Sequence, residues 1–264
     1  MAVVHVKRSV LLLASVLSTG LLSTSPVKGQ VGTQLYFPSF YQDYRPTGQI
    51  TGRLLFAGAP EAGAPIDLVN YTVSTGAENA VFTATTTATG DFVFDTPMAL
   101  GPGEHYYLRY YNPTLAGTPD QFDTTRVLNW ASFDLGNYAY DATYDFDDID
   151  VANVQMNLNA ASVPVPYQFS WGRRAGYTSE SYEFMLTDQA SVFYASGWLG
   201  YSDYYDLTTL PTGFANDTPY VWGIHIVSPT AGEGYSWSYT VMFGLGAPGG
   251  LDASLVAQPG PRTR

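Results

Sequence analysis

The 264-residue chain carries 23 acidic against 11 basic residues, a net charge of −12 at pH 7, and this argues against nucleic acid as a partner, because phosphate binding needs a basic footprint. It has no Cys, which excludes disulfides, thiolate metal ligands and a thiol nucleophile. Aromatics make up 15% of residues, with 21 Tyr, against 13% charged, which is far from a disordered composition, and 26 Gly and 17 Pro suit many short strands joined by tight turns.

Residues 1–29 read as a signal peptide. Lys7 and Arg8 precede an apolar run, Val10–Leu22, and Val27-Lys28-Gly29 places the cut before Gln30. The run is short of the ~20 residues a membrane span needs, so no span is expected after processing. Lys7, Arg8 and Lys28 are three of the 11 basic residues, so the processed chain is more acidic still. Residues 30–47 form an aromatic, Pro-containing leader.

Residues 48–160 read as a first β-sandwich, through period-two alternation interrupted by Gly, Pro and Asp. Ile50, Gly52, Leu54 and Phe56 share one face of the first strand. Ile66 and Leu68, then Phe92 and Phe94, then Tyr106, Leu108 and Tyr110 point inward on later strands. Tyr107, Arg109 and Tyr111 lie opposite. RVLNWASFDL and DDIDVANVQMNL supply the last strands.

Residues 163–243 read as a second sandwich. Its inward sets are Tyr167, Phe169 and Trp171; Tyr182, Phe184 and Leu186; Tyr220, Trp222, Ile224 and Ile226; and Trp237, Tyr239, Val241 and Phe243. That parity sends His225 outward, toward solvent. Residues 244–264 read as a flexible Gly/Pro tail, with no hydrophobic anchor expected there. The expected fold is therefore all-β, with two tandem antiparallel β-sandwiches after a cleaved signal peptide.

Two resemblances follow from particular residues. The opening Gly48–Gly52, then Gly63–Leu68, then Thr86-Thr87-Ala88-Thr89-Gly90-Asp91-Phe92-Val93-Phe94 resemble the carboxypeptidase regulatory-like (transthyretin-like) domain. That family's sandwich is not the catalytic part of any peptidase, so the resemblance implies a folding aid, spacer or binding module. Trp171, then Leu207-x-x-Leu210-Pro211-x-Gly213 leading to Tyr220, then Gly232-Glu233-Gly234-Tyr235-Ser236 resemble a fibronectin type III domain. The resemblance implies that the Tyr220 hydroxyl bonds back to backbone at a corner. The insert Thr212–Pro219 is longer than the family's pattern, and no Arg-Gly-Asp stands in the last hairpin. Both resemblances lean toward a secreted bacterial protein.

Candidate chemistry is sparse. His5 leaves with the signal peptide, and His105 and His225 read as solvent-facing strand residues. No Gly-x-Ser-x-Gly elbow presents a nucleophile. The six Glu (Glu61, Glu78, Glu104, Glu180, Glu183 and Glu233) fall in turns or on polar strand faces, so no catalytic residues and no enzyme are expected. The acidic run Asp141, Asp145, Asp147, Asp148 and Asp150 offers oxygens for calcium at the joint between sandwiches, with Asp145, Asp147, Asp148 and Asp150 as ligands; no other cofactor is implied. Tyr107, Tyr111, Trp130, Tyr138, Tyr140 and Tyr144 are candidates for stacking on sugar rings, and Trp198, Tyr201, Tyr204 and Tyr205 are the favoured set. Asn70-Tyr71-Thr72 and Asn216-Asp217-Thr218 are glycosylation sequons. The expected function is that of an exported, non-catalytic protein with a structural, adhesive or protein-interaction role at the cell surface or outside the cell. Its partner would be a surface protein or a polysaccharide. The alternatives are a carbohydrate-binding protein and, behind it, a secreted hydrolase or peptidase accessory.

Overall fold

A computed structural model describes residues 48–95, 97–112, 124–139, 141–158, 161–236 and 239–244. The expected signal peptide, the leader, the tail beyond Gly244, Tyr140 and Trp237 lie outside these residues. The chain is all-β, and the described residues contain no helix. No helix among them is long and apolar enough to cross a membrane.

Among the described residues eighteen strands follow in order. They are β1 (Gln49–Phe56), β2 (Ala59–Pro60), β3 (Pro65–Thr72), β4 (Ala77–Thr85), β5 (Asp91–Asp95), β6 (Glu104–Tyr111), β7 (Asn129–Ala131), β8 (Thr143–Asp145) and β9 (Ile149–Asp150). Then come β10 (Gln155–Met156), β11 (Ala161–Val163), β12 (Tyr167–Gly172), β13 (Ser181–Thr187), β14 (Phe193–Ala195), β15 (Tyr204–Leu207), β16 (Pro219–Ser228), β17 (Gly232–Tyr235) and β18 (Tyr239–Phe243).

The alternation expected from sequence is the alternation of burial. Ile50 and Leu54 on β1, Phe92 and Phe94 on β5, Tyr106, Leu108 and Tyr110 on β6, and Phe184 and Leu186 on β13 all face the core. The Tyr220 hydroxyl accepts a 2.7 Å bond from the Ala215 backbone N–H, the backward bond its position implied.

Strand partners differ from a purely antiparallel arrangement. β8 and β9 pair with β1, and β11 with β18, in parallel. Alternation specifies which face a strand buries but not the direction of its neighbour, so these pairings left no mark in the pattern. Strands from the two halves also share sheets. β10 pairs with β12, and β7 pairs with β17 at Glu233↔Ala131, Gly234↔Trp130 and Tyr235↔Asn129. A ten-stranded sheet results, in which β14, β13, β16, β17, β7, β6, β3 and β4 lie side by side and β18 and β11 branch from β16. One hydrophobic cluster runs through both halves, from Ile50, Leu68 and Tyr106 to Phe169, Phe184, Trp222 and Phe243.

The seam between β7 and β17 needs two glycines. A Cβ on Gly234 would lie 2.3 Å from the Trp130 ring, so the indole lies flat across that strand. Gly232 has φ +116, and a Cβ there would come within 2.1 Å of the Ala131 carbonyl oxygen. The Trp130 Nε1–H donates to the Ala231 carbonyl at 3.1 Å, which fixes the ring over the seam.

A second tie joins the halves beneath the sheet. Arg174 and Glu180 form a buried ion pair at 2.9 Å, with side chains only 3% and 1% exposed. Arg174 Nη1 also donates to the carbonyls of Asp150 (2.7 Å) and Ala152 (3.2 Å), and its guanidinium sits over Trp130 and Tyr177.

Candidate functional site

The face of the ten-stranded sheet opposite the core is concave and encloses a cleft of about 510 Å³. Odd-numbered residues line it by alternation: Tyr107, Arg109 and Tyr111 on β6, Glu233 and Tyr235 on β17, Glu183 and Met185 on β13. Phe193 on β14 closes one end, and Gly223 on β16 leaves bare backbone in the floor. The site is therefore assembled from strands on both sides of the β7–β17 seam.

At one end His225 lies between two carboxylates. Its Nδ1 is 3.3 Å from Glu183 and its Nε2 is 3.0 Å from Glu233. The ring stacks on Tyr235 at 4.3 Å and 7°, and Trp198 covers it at 4.8 Å. Each ring nitrogen of His225 thus faces a carboxylate oxygen within hydrogen-bonding distance. The ring is held by two polar contacts and two aromatic faces.

At the other end Arg109 joins Glu78 at 2.5 Å and Asp67 at 3.2 Å, with its guanidinium over the Tyr111 ring. The Tyr107 hydroxyl reaches Glu78 at 3.5 Å. Burial pushes the Tyr107 phenol up, so at neutral pH it remains an uncharged hydrogen-bonding group. Aromatic area also lines the cleft, where Tyr111 and Phe193 are 44% and 65% exposed.

The expected sugar-stacking set is not one platform. Trp198 is 51% exposed and packs on the ring of His225. Tyr204 is exposed on β15, in another sheet. Tyr205 stacks on Phe184 and bonds Tyr194, and Tyr201 packs on Tyr182 and donates to the Arg174 carbonyl at 2.5 Å. Of the wider set, Tyr107 and Tyr111 line the cleft. Trp130 and Tyr138 are buried, and Tyr144 packs on Phe146.

The acidic run does not converge on one point: Asp145 and Asp148 line a small pocket with Arg53 and Asp91, which Asp150 does not join. Asp145 accepts from the Thr51 hydroxyl, and Asp148 faces Arg53. Asp150 is 2% exposed and turned inward, where its carboxylate takes bonds from Tyr177 and from the backbone N–H groups of Ala57, Gly58 and Ala152. Burial alone would raise the Asp150 carboxyl, but these bonds and nearby Arg174 hold it below the usual range. No group of three or more His, Asp or Glu is placed to hold a metal ion among the described residues.

Three expectations of exposure are corrected. His225 lies on the face expected, but it is only 2% exposed, because that face is concave and covered by Trp198 and Tyr235. His105 is half-buried beside Tyr71 and Asp134. Glu180 is buried with Arg174, and burial pushes its carboxyl up despite the partner. In the first sequon, Asn70 is buried and its amide bonds Glu104.

Sequence reasoning passed over Glu183, Glu233, His225 and Arg109 as a group. One signal was present: a hairpin turning near 229–231 brings His225 opposite Tyr235 and next to Glu233. The contribution of Glu183 depends on β13 pairing with β16, which no short-range pattern specifies.

No protein-family model matches the chain, and no curated protein matches its sequence. Among solved structures, a DUF3823 family protein from Bacteroides ovatus ATCC 8483 is 13% identical, covers 74% of this chain and 98% of its own, and aligns with a TM-score of 0.28. A tetra-tandem repeat in the extending region of a large adhesion protein is 10% identical over 75% of this chain and 49% of its own, with a TM-score of 0.25. The shaft pilin spaA from Lactobacillus rhamnosus GG is 14% identical over 75% of this chain and 98% of its own, also at 0.25. Likeness at this level carries no argument about what the chain does.

Proposed function

We propose that this chain is an exported, non-catalytic β-sandwich protein with an adhesive role, and that it holds a neutral polysaccharide in the cleft on the outer face of its ten-stranded sheet. The observation that supports this reading is the convergence of exposed rings and hydrogen-bonding groups on one concave surface built from both halves of the chain. Rings such as Tyr111 and Phe193 offer stacking area, and the carboxylates and guanidinium offer partners for hydroxyls. The polar side chains in the cleft already have partners, Arg109 with Glu78 and Asp67, His225 with Glu183 and Glu233. Such a surface suits a neutral polyol better than a bare ion. A glycosidase leaves the gap between its two carboxyls open for sugar and water; here the His225 ring fills it. On this reading residues 1–29 direct export, and the first half contributes a carboxypeptidase regulatory-like sandwich and the second a fibronectin type III-like one.

The test is retention of the purified chain on a panel of insoluble polysaccharides, with soluble oligosaccharides as competitors. Tyr111→Ala should abolish retention on the polysaccharide that holds the wild type, at a cost of about 1–3 kcal/mol of binding per lost stacking ring. Tyr204→Ala, on a different sheet, should leave retention unchanged. Retention that survives Tyr111→Ala and Phe193→Ala removes the cleft from the account. Release of soluble sugar that disappears in Glu233→Gln would put a hydrolase in its place.

A further inference from the structure

We infer that β4 is a self-association edge, along which a second copy of this chain adds antiparallel to extend the ten-stranded sheet. Among the described residues β4 pairs only with β3, so one side of its backbone is unpaired. It is nine residues long, whereas the other outermost strands have five or fewer. Long edges are normally protected by Lys, Pro or inward charges. In AENAVFTAT there is no Lys, Arg or Pro, and the single charge, Glu78, is held by Arg109.

The regular part of the edge is Ala80–Thr85. A register shift opposite Asn70/Tyr71 leaves Asn79 out of the ladder, and its side chain folds back to bond Asn70, Thr72 and Glu104. Antiparallel pairing of this stretch with its own copy, centred on Phe82, is self-complementary. On the core side Phe82 meets Phe82 and Ala80 meets Ala84. On the cleft side Val81, 44% exposed, meets Thr83. β-Branched and aromatic cross-strand pairs are the favourable kind, and no charge opposes another. In a chain of net charge −12, this uncharged ladder is a place where two copies meet without repulsion. The two-fold axis stands perpendicular to the sheet, so both clefts open on the same face of the joined sheet. A short ladder makes a weak, concentration-dependent dimer, and two clefts on one face would convert modest binding at each into avidity. That last consequence rests on the saccharide reading; the dimer does not.

Sedimentation of the purified chain over a concentration series tests the dimer without any ligand. The wild type should dimerise. Val81→Lys/Thr83→Lys and Val81→Glu/Thr83→Glu each set like charges opposite each other and should raise the dimer dissociation constant about tenfold or more. A one-to-one mixture of the two variants should recover dimers. Both positions are exposed, and circular dichroism checks that the fold is intact; if either variant misfolds, concentration-dependent hydrogen-exchange protection of Ala80–Thr85 in the wild type decides instead. A monomeric wild type, undiminished dimerisation of the Lys variant, or a mixture that stays monomeric would each overturn the proposal.

Discussion

Replacing Arg174 with Met retains most of the packing of its stem over Trp130 and Tyr177 but removes the guanidinium that pairs with Glu180 at 2.9 Å. Glu180 then becomes an uncompensated carboxylate in a site where its side chain is 1% exposed. Breaking a buried pair in this way costs about 3–5 kcal/mol. The carbonyls of Asp150 and Ala152 lose their donors as well. For a chain of this size each kcal/mol lowers the melting temperature by about 2–4 °C, so the drop should be roughly 6–20 °C. Adding Glu180→Gln removes the stranded charge and should recover more than half of the loss, leaving about 1–2 kcal/mol for the unpaired carbonyls. The single variant should also depend on pH in a particular direction. Burial already raises the Glu180 carboxyl above its ordinary value, and loss of Arg174 raises it further. A carboxyl raised in the folded state costs stability while ionised, and the cost falls as pH drops through its folded value. The deficit relative to wild type should therefore shrink on acidification, and the Gln double variant should not show this relief. Urea unfolding of the three proteins across that pH range is the assay. A deficit below about 1 kcal/mol at neutral pH, or an acid response unchanged by Glu180→Gln, would refute the account of Arg174 as the partner that makes Glu180 tolerable.

Two further outcomes follow from named contacts. Gly232→Ala should cost at least about 1–3 kcal/mol from backbone strain alone and should change Trp130 fluorescence, because its Cβ would meet the Ala131 carbonyl oxygen at 2.1 Å; an unaltered unfolding midpoint would contradict this. Asp150, held low in the fold, contributes stability that is fully present above its ordinary value and lost as pH falls through its folded one. Asp150→Asn should lower stability at neutral pH and flatten the acid limb of the stability profile, which unfolding followed from about pH 5 downward would show.

The sequence carried local facts well and long-range ones poorly. Two-residue alternation marked the buried side of β1, β5, β6, β12 and β13, since each strand's side chains have only two faces to choose between. That the Tyr220 hydroxyl bonds back to backbone was implied by the fibronectin type III resemblance, and its partner, Ala215, lies five residues away. The candidate site was half legible. Tyr107 and Tyr111 were marked as facing away from the core, but His225 was assigned to solvent because parity alone does not distinguish a convex face from a concave one. Tyr201 and Tyr205 counted as exposed on composition, yet each finds an aromatic neighbour, Tyr182 and Phe184, from a distant strand. Asp150 was grouped with its neighbours as a calcium ligand because the bonds it takes from the backbone N–H groups of residues 57 and 58 come from a distant strand end and leave no local mark.

The β7–β17 seam also bears on the order of folding. Trp130 bonds Ala231 across 101 positions of chain, and only three residue pairs make the ladder. Closing so long a loop for so few bonds is entropically unrewarding until the flanking strand pairs already exist. β3 with β6, and β16 with β13, are therefore expected to form first, leaving β7 and β17 as open edges in a late intermediate. In that interval β17 of one chain could find β7 of another, an exchange that produces domain-swapped dimers whose contacts are all native. Rapid dilution at low protein concentration should give the closed form, and slow refolding at high concentration should enrich the exchanged one.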